Sequence, residues 1–155
     1  MEIRHAEETD LVSLMALFQI SVETQGAEHY SSEQVHAWAS RATEATFGDF
    51  ILIPTTFVAI DDSGPMGFCG YARDGHITSL YIRPDCAGQG IGKKLLTHVL
   101  EDARAHDVTD FHVEASAMAI PLFEKLGFEK SGLEDYLIGD SKFERQLMKL
   151  KGGVP

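Results

Sequence analysis

The sequence predicts an α+β domain, and three observations carry that prediction. Apolar residues recur at helical spacing near the start, strands joined by tight turns follow, and the second half alternates strand, helix, strand, helix, strand. Glu2 to Ala6 reads as a short first strand. Leu11, Leu14, Met15, Phe18 and Val22 mark an amphipathic helix stopping near Gly26. Ser31 and Gln34 have the spacing of a capping box, with Tyr30 and Val35 placed as a hydrophobic staple. Val35, Trp38 and Ala39 then form the apolar face of a second helix, with Trp38 in the core. Thr43 to Ile53 is ambiguous, with a short helix as one reading.

Thr55 to Ile60 predicts a strand that turns at Asp61 to Gly64 into a second strand, Met66 to Ala72. Asp74-Gly75 is a hairpin signal leading into His76 to Arg83, and Pro84 ends that strand. Ile91, Leu95, Leu96, Val99, Leu100 and Ala103 mark a long helix, and Phe111 to Ala115 a further strand. Ser116 is read as the cap of a short helix ending at Gly127, with Phe128 folding back. Tyr136 to Ile138 and Phe143 to Leu150 read as a closing hairpin around Gly139-Asp140.

With 155 residues and no repeat or linker, the expectation is one domain, 1–155. Thirteen basic against 24 acidic residues give a net charge of -11, which disfavours nucleic acid and anionic membranes as partners. No apolar run has the length of a bilayer span, and the start MEIRHAEETD lacks a secretory pattern, so the expected location is cytoplasmic. Cys69 and Cys86 are read as reduced thiols, Cys69 in the core, and the seven histidines form no ligand-spaced cluster, so no metal is expected.

The most specific stretch is LYIRPDCAGQGIGKKLL, Leu80 to Leu96. A strand runs into alternating glycines and opens onto a helix, whose first N–H groups and dipole suit an anion such as phosphate. The spacing is neither that of a P-loop nor that of the dinucleotide fingerprint.

These residues resemble the acyl-CoA-binding motif of the GNAT superfamily of N-acetyltransferases. Glu114 to Phe128 (EASAMAIPLFEKLGF) resembles the family's later helix motif, and His29 to Ala39 (HYSSEQVHAWA) is similar to a small bacterial subgroup. The resemblance implies a mixed sheet splayed between its fourth and fifth strands, helices on both faces, and a bulge in the fourth strand, His76 to Arg83. It implies acetyl-CoA as cosubstrate, with backbone groups of Leu80, Tyr81 and Ile82 along the pantetheine. The amides of Ala87, Gly88, Gln89, Gly90, Ile91, Gly92 and Lys93 would hold the pyrophosphate, and an N–H near Leu80 the acetyl carbonyl. Helix-end amides near Ser116 to Ala119 would face the departing thiolate. Two positions depart from the family: Ala87 stands where Arg or Gln is frequent, and Phe123 where many members carry a proton-donating Tyr.

His76 and Glu114 are the two candidate bases, with His112 on the Glu114 face by alternation, and the sequence does not choose between them. His29, Tyr30 and Tyr136 are the candidate acceptor contacts. The reading that follows is an N-acetyltransferase acting on an amine, small or peptidic, through a ternary complex. A homodimer paired through the late hairpin is also expected. The alternatives are a silent acyl-CoA sensor, favoured by Phe123, and an unrelated nucleotide-binding protein.

Overall fold

The computed structural model describes residues 1–151. Strand β1 (Glu2–His5) pairs antiparallel with β2 (Thr55–Asp61), and between them lie helices α1 (Leu11–Gln25), α2 (Ser32–Ala39) and α3 (Phe47–Leu52). The capping box forms: the Gln34 N–H donates to Ser31 Oγ at 3.1 Å and the Ser31 N–H to Gln34 Oε1 at 2.8 Å. The Gln34 side chain also donates to the Lys142 carbonyl at 2.7 Å, tying the start of α2 to the late hairpin. A 3-10 turn, Ser40–Thr43, follows α2, and the ambiguous segment Thr43 to Ile53 holds the short helix α3.

Strands β3 (Gly64–Tyr71) and β4 (Ile77–Ile82) complete the antiparallel meander, giving the order β1-β2-β3-β4. Helix α4 (Ile91–Ala105) crosses to β5 (Phe111–Ala115), and after α5 (Ile120–Lys125) come β6 (Glu129–Ile138) and β7 (Ser141–Leu150), in the order β5-β7-β6. The four-stranded and three-stranded parts meet at one parallel bridge, His76 to His112, where the His112 N–H donates to the Gly75 carbonyl at 3.0 Å. Gly75 has φ of 90°, and a Cβ there would lie 2.0 Å from the Asp110 carbonyl oxygen, so a side chain would keep the halves from meeting. Beyond that bridge β4 and β5 diverge. Gly70 pairs with Ser79 and Tyr71 with Ile77, which leaves Thr78 as the extra residue of a bulge that bends β4 at the divergence.

Strand alternation builds a core on each face. Phe57 and Cys69 turn toward α4 and α5, joining Leu95, Leu96, Phe111, Phe123 and Met148. Val58 and Phe68 turn toward α1 to α3, joining Leu14, Phe18, Trp38, Phe47 and Phe143. Each fully buried side chain of this size contributes about 1.5–3 kcal/mol. Cys69 lies in this core, where burial pushes its thiol far above the ordinary range. Among the described residues, no helix is long and apolar enough to cross a membrane.

Two elements differ from expectation. Strand β6 begins at Glu129 rather than Tyr136, because its first five residues are all exposed and carry no apolar alternation to read. Ser116 does not cap α5 with its side chain: Ala119 is the cap residue, and the Ser116 carbonyl accepts from the Ala119 and Ile120 amides at 3.0 and 3.3 Å. The C-terminal side of α5 closes as expected at Gly127, where the Phe128 N–H returns to the Phe123 carbonyl at 3.0 Å.

Candidate active site

The divergence of β4 from β5 opens a cleft of about 610 Å³ floored by α2, α3 and the late hairpin. Arg83 fixes the backbone alternation on the β4 lip: its N–H donates to the Met66 carbonyl at 2.8 Å. Two residues back, Tyr81 pairs with Phe68 and turns its backbone groups toward β3 in the same sense. Leu80 and Ile82 therefore present their N–H and C=O groups to the open side. The Tyr81 ring goes into the core, 4.8 Å from Phe18 and 5.4 Å from Phe68, and burial pushes its phenol up to about 12.

At the end of β4 the chain enters the glycine loop. The Arg83 side chain fastens this corner, donating to Asp85 Oδ1 at 2.6 Å, the Pro65 carbonyl at 3.0 Å and Ser63 Oγ at 2.8 Å. Ala87 is extended, while Gly90, at φ of 79°, takes a left-handed turn that favours glycine. Gly88 turns likewise, with φ of 78°. The first intrahelical bond of α4 runs from the Lys94 N–H to the Gly90 carbonyl at 3.1 Å, so the Ile91, Gly92 and Lys93 amides precede the ladder. Gln89 folds its side chain back, donating to the Asp85 carbonyl at 3.3 Å. The loop is thus a hydrogen-bonded corner in which the Ala87 N–H is taken by the Pro84 carbonyl at 3.2 Å, so that amide is not free for the expected anion, while the Ile91 to Lys93 amides stand outside the helix ladder.

His76 and Glu114, separate candidates in sequence, form one unit. Their Nε2 and Oε2 atoms lie 2.6 Å apart on the cleft wall, and His112 stacks on His76 with ring centroids 5.1 Å apart. The hydrogen bond to Glu114 raises the His76 imidazole above its ordinary value against the opposing effect of burial, and the same bond lowers Glu114. With Nε2 donating to the carboxylate, Nδ1 is the nitrogen left to accept a proton.

The acceptor candidates divide. Tyr136 lines the cleft, and so does Tyr30, whose ring packs 5.5 Å from both Trp38 and Phe143. The Tyr30 hydroxyl accepts the Ala117 N–H at 2.9 Å. With the Ala119 amide engaged by Ser116, those two helix-end amides are taken, and the expected anion role does not fall to them. His29 is exposed on the turn before α2 and is not among the cleft-lining residues. Ser116 and Phe123 both line the cleft, Phe123 almost fully buried against Phe128.

Sequence reasoning passed over Arg41 and Arg145. Arg145 pairs with Glu134, stands 4.0 Å from Glu114, and lies over the Tyr136 ring at 3.8 Å. Alternation from Phe143 was a usable signal, since Phe143 and Arg145 share a strand face. Arg41, in the 3-10 turn after α2, had no periodic signal at all.

A sheet opened along a free backbone lip, ending in a helix start with amides outside the ladder, is an arrangement suited to a transferase that holds an extended, phosphate-tailed donor. Residues 26–139 match the acetyltransferase (GNAT) domain, most of the chain, and the protein belongs to that family. It is 29% identical over 137 residues to the peptidyl-lysine N-acetyltransferase YjaB of Salmonella typhimurium, covering 85% of this chain and 86% of that one. A GCN5-related N-acetyltransferase of Rhodopseudomonas palustris has the same fold, with a TM-score of 0.93, 28% identity, and coverage of 97% of this chain and 94% of that chain. The PaiA N-acetyltransferase of Thermoplasma acidophilum, solved in complex with coenzyme A, superposes with a TM-score of 0.81 at 20% identity, over 97% and 98% of the two chains. The chain is therefore an acetyltransferase of the GNAT type.

Proposed function

We propose that the protein moves an acetyl group from acetyl-CoA to an amine within a ternary complex. The observation that carries this reading is the His76–Glu114 pair, 2.6 Å apart on the wall of the splay, at the start of the β4 strand whose outer backbone edge lines the opening. The pantetheine arm adds to Leu80 and Ile82 as an extra strand would, and the pyrophosphate sits on the Ile91 to Lys93 amides. The Leu80 N–H polarises the acetyl carbonyl.

The acceptor arrives as an ammonium and must lose a proton before its nitrogen attacks the thioester carbon. His76 Nδ1 takes that proton, directly or through one water, while Glu114 holds the imidazole and stabilises its charged form. Attack gives a tetrahedral intermediate; its C–S bond then breaks and CoA leaves as a thiolate. The nitrogen gives up its second excess proton, which balances the one taken up by the thiolate to form the thiol. A thiol of pKa about 8.5 is a fair leaving group. Phe123 has no proton to offer, but the same wall carries Tyr30, whose oxygen accepts from Ala117 and whose own O–H is left to donate. The acceptor is an amine of small-molecule or peptide type, in keeping with a relative that acts on peptidyl lysine.

The test is free-thiol release from acetyl-CoA against a mixed panel of amines. Release that depends on both acetyl-CoA and amine supports the reading. CoA binding without release from any amine would leave the silent sensor, which Phe123 favours.

A further inference from the structure

Arg41 lines the same cleft from the turn after α2. Its Nε is buried without a hydrogen-bond partner, and among the described residues it forms no ion pair. A guanidinium keeps its charge at any working pH and carries five donors in a planar fork, so one held in a cleft without an anion is unsatisfied. Its neighbours do not meet that need. Glu44 accepts from Thr46 Oγ1 at 3.3 Å, and Arg145 is already paired with Glu134. The contacts lead from the base outward: Arg145 stands 4.0 Å from Glu114 and 3.8 Å from the Tyr136 centroid, and Arg41 stands 5.4 Å from the same ring. An acceptor with its amine at His76 thus extends across Tyr136 toward a free cation. The Tyr136 ring lies within cation–π range of that guanidinium and gives it an aromatic surface to rest on.

We infer that Arg41 binds a carboxylate on the acceptor, so that the substrate is an amine carrying a carboxylate, of amino-acid type. This rests on the acetyl-transfer reading of the cleft. A carboxylate matches the planar fork and brings one negative charge, whereas a phosphate would bring nearly two into a cleft already lined by Glu44, Asp49 and Glu114. The net charge of -11 does not oppose this, because exposed charges beyond about 8–10 Å are largely screened at physiological salt.

The experiment compares ω-amino acids of increasing length, glycine to 6-aminohexanoate, with their carboxamides, which keep the amine and lose the charge. In the wild type, at least one acid is expected to exceed its amide in kcat/KM by about tenfold or more. In Arg41→Met that ratio falls toward one, and Arg41→Lys retains part of it. CoA affinity, read at the glycine loop, reports that each variant is folded. Ratios near one at every length, or a ratio that survives Arg41→Met, overturn the inference while leaving acetyl transfer intact. A second arm needs no turnover: calorimetric titration with the N-acetyl ω-amino acids and their amides, CoA present. Preference for the acid that disappears in Arg41→Met supports the carboxylate site, and equal affinity overturns it. Absence of thiol release from every amine refutes acetyl transfer separately.

Discussion

Replacing Glu114 by Gln removes the carboxylate from the 2.6 Å bond to His76 while keeping its shape. In the folded protein that bond raises His76 above its ordinary 6.5. The acidic limb of kcat/KM in the wild type is therefore expected above 6.5, since the base works only when neutral, and Glu114→Gln should move it down toward about 6.5. The less basic, less firmly oriented imidazole should also cost about tenfold at the alkaline plateau, and His76→Ala about a hundredfold with loss of the limb. The assay is a pH–rate profile on one amine that the wild type acetylates. The same pair has a stability signature of opposite slopes. The raised His76 contributes fully below 6.5 and loses its contribution as pH rises through its folded value. The lowered Glu114 contributes above 4.5 and loses it as pH falls through its folded value. Both contributions are complete between 4.5 and 6.5, where the half-exposed pair contributes about 1–2 kcal/mol, measurable by urea titration against Glu114→Gln. A limb at or below 6.5 in the wild type, or one that stays put in Glu114→Gln, refutes the coupled base.

Gly90→Asp places a negative charge and a strained left-handed residue at the start of α4, so CoA should bind about a hundredfold more weakly by calorimetry. Unchanged affinity would remove the loop from the binding site. Gly75→Ala drives a Cβ to 2.0 Å from the Asp110 carbonyl and should lower Tm by about 5–10 °C in a thermal scan, with loss of activity as the bridge between the sheet halves gives way. Tyr30→Phe keeps the ring packing and loses the hydroxyl; kcat should fall about tenfold or more with CoA affinity unchanged, and an unaltered kcat would mean that solvent protonates the thiolate. Strand β6 is an edge that exposes Leu133 and Leu137 by 63% and 62%, so sedimentation at micromolar concentration should give twice the chain mass, falling to the monomer in a Leu133→Glu, Leu137→Glu variant.

Much of the architecture was legible along the chain because the forces that set it are local. The Ser31–Gln34 box, the Asp74-Gly75 turn, the left-handed glycines before α4 and the alternation of β2 to β5 each involve residues a few positions apart. The shape of the glycine loop could be read for the same reason, since the strand, the left-handed glycines and the helix start that make it are consecutive in the chain. The start of β6 was not readable, because that stretch is exposed on both sides and no apolar period marks it.

The cleft itself was decided in three dimensions. His76 and Glu114 are 38 positions apart, and their junction depends on a bulge at Thr78 and on the close approach of Gly75 to Asp110. Arg41 and Arg145 converge on Tyr136 from opposite ends of the chain, and the Tyr30 hydroxyl occupies an amide 87 positions away that the sequence left free for an anion. Hydrogen-bond pairing across such separations follows from packing, which no local spacing encodes. The sequence by itself determined most of the elements, their order and the bend of the glycine loop; the tertiary structure alone decided which charged side chains share one cleft, because burial and distance, not proximity along the chain, set their partners.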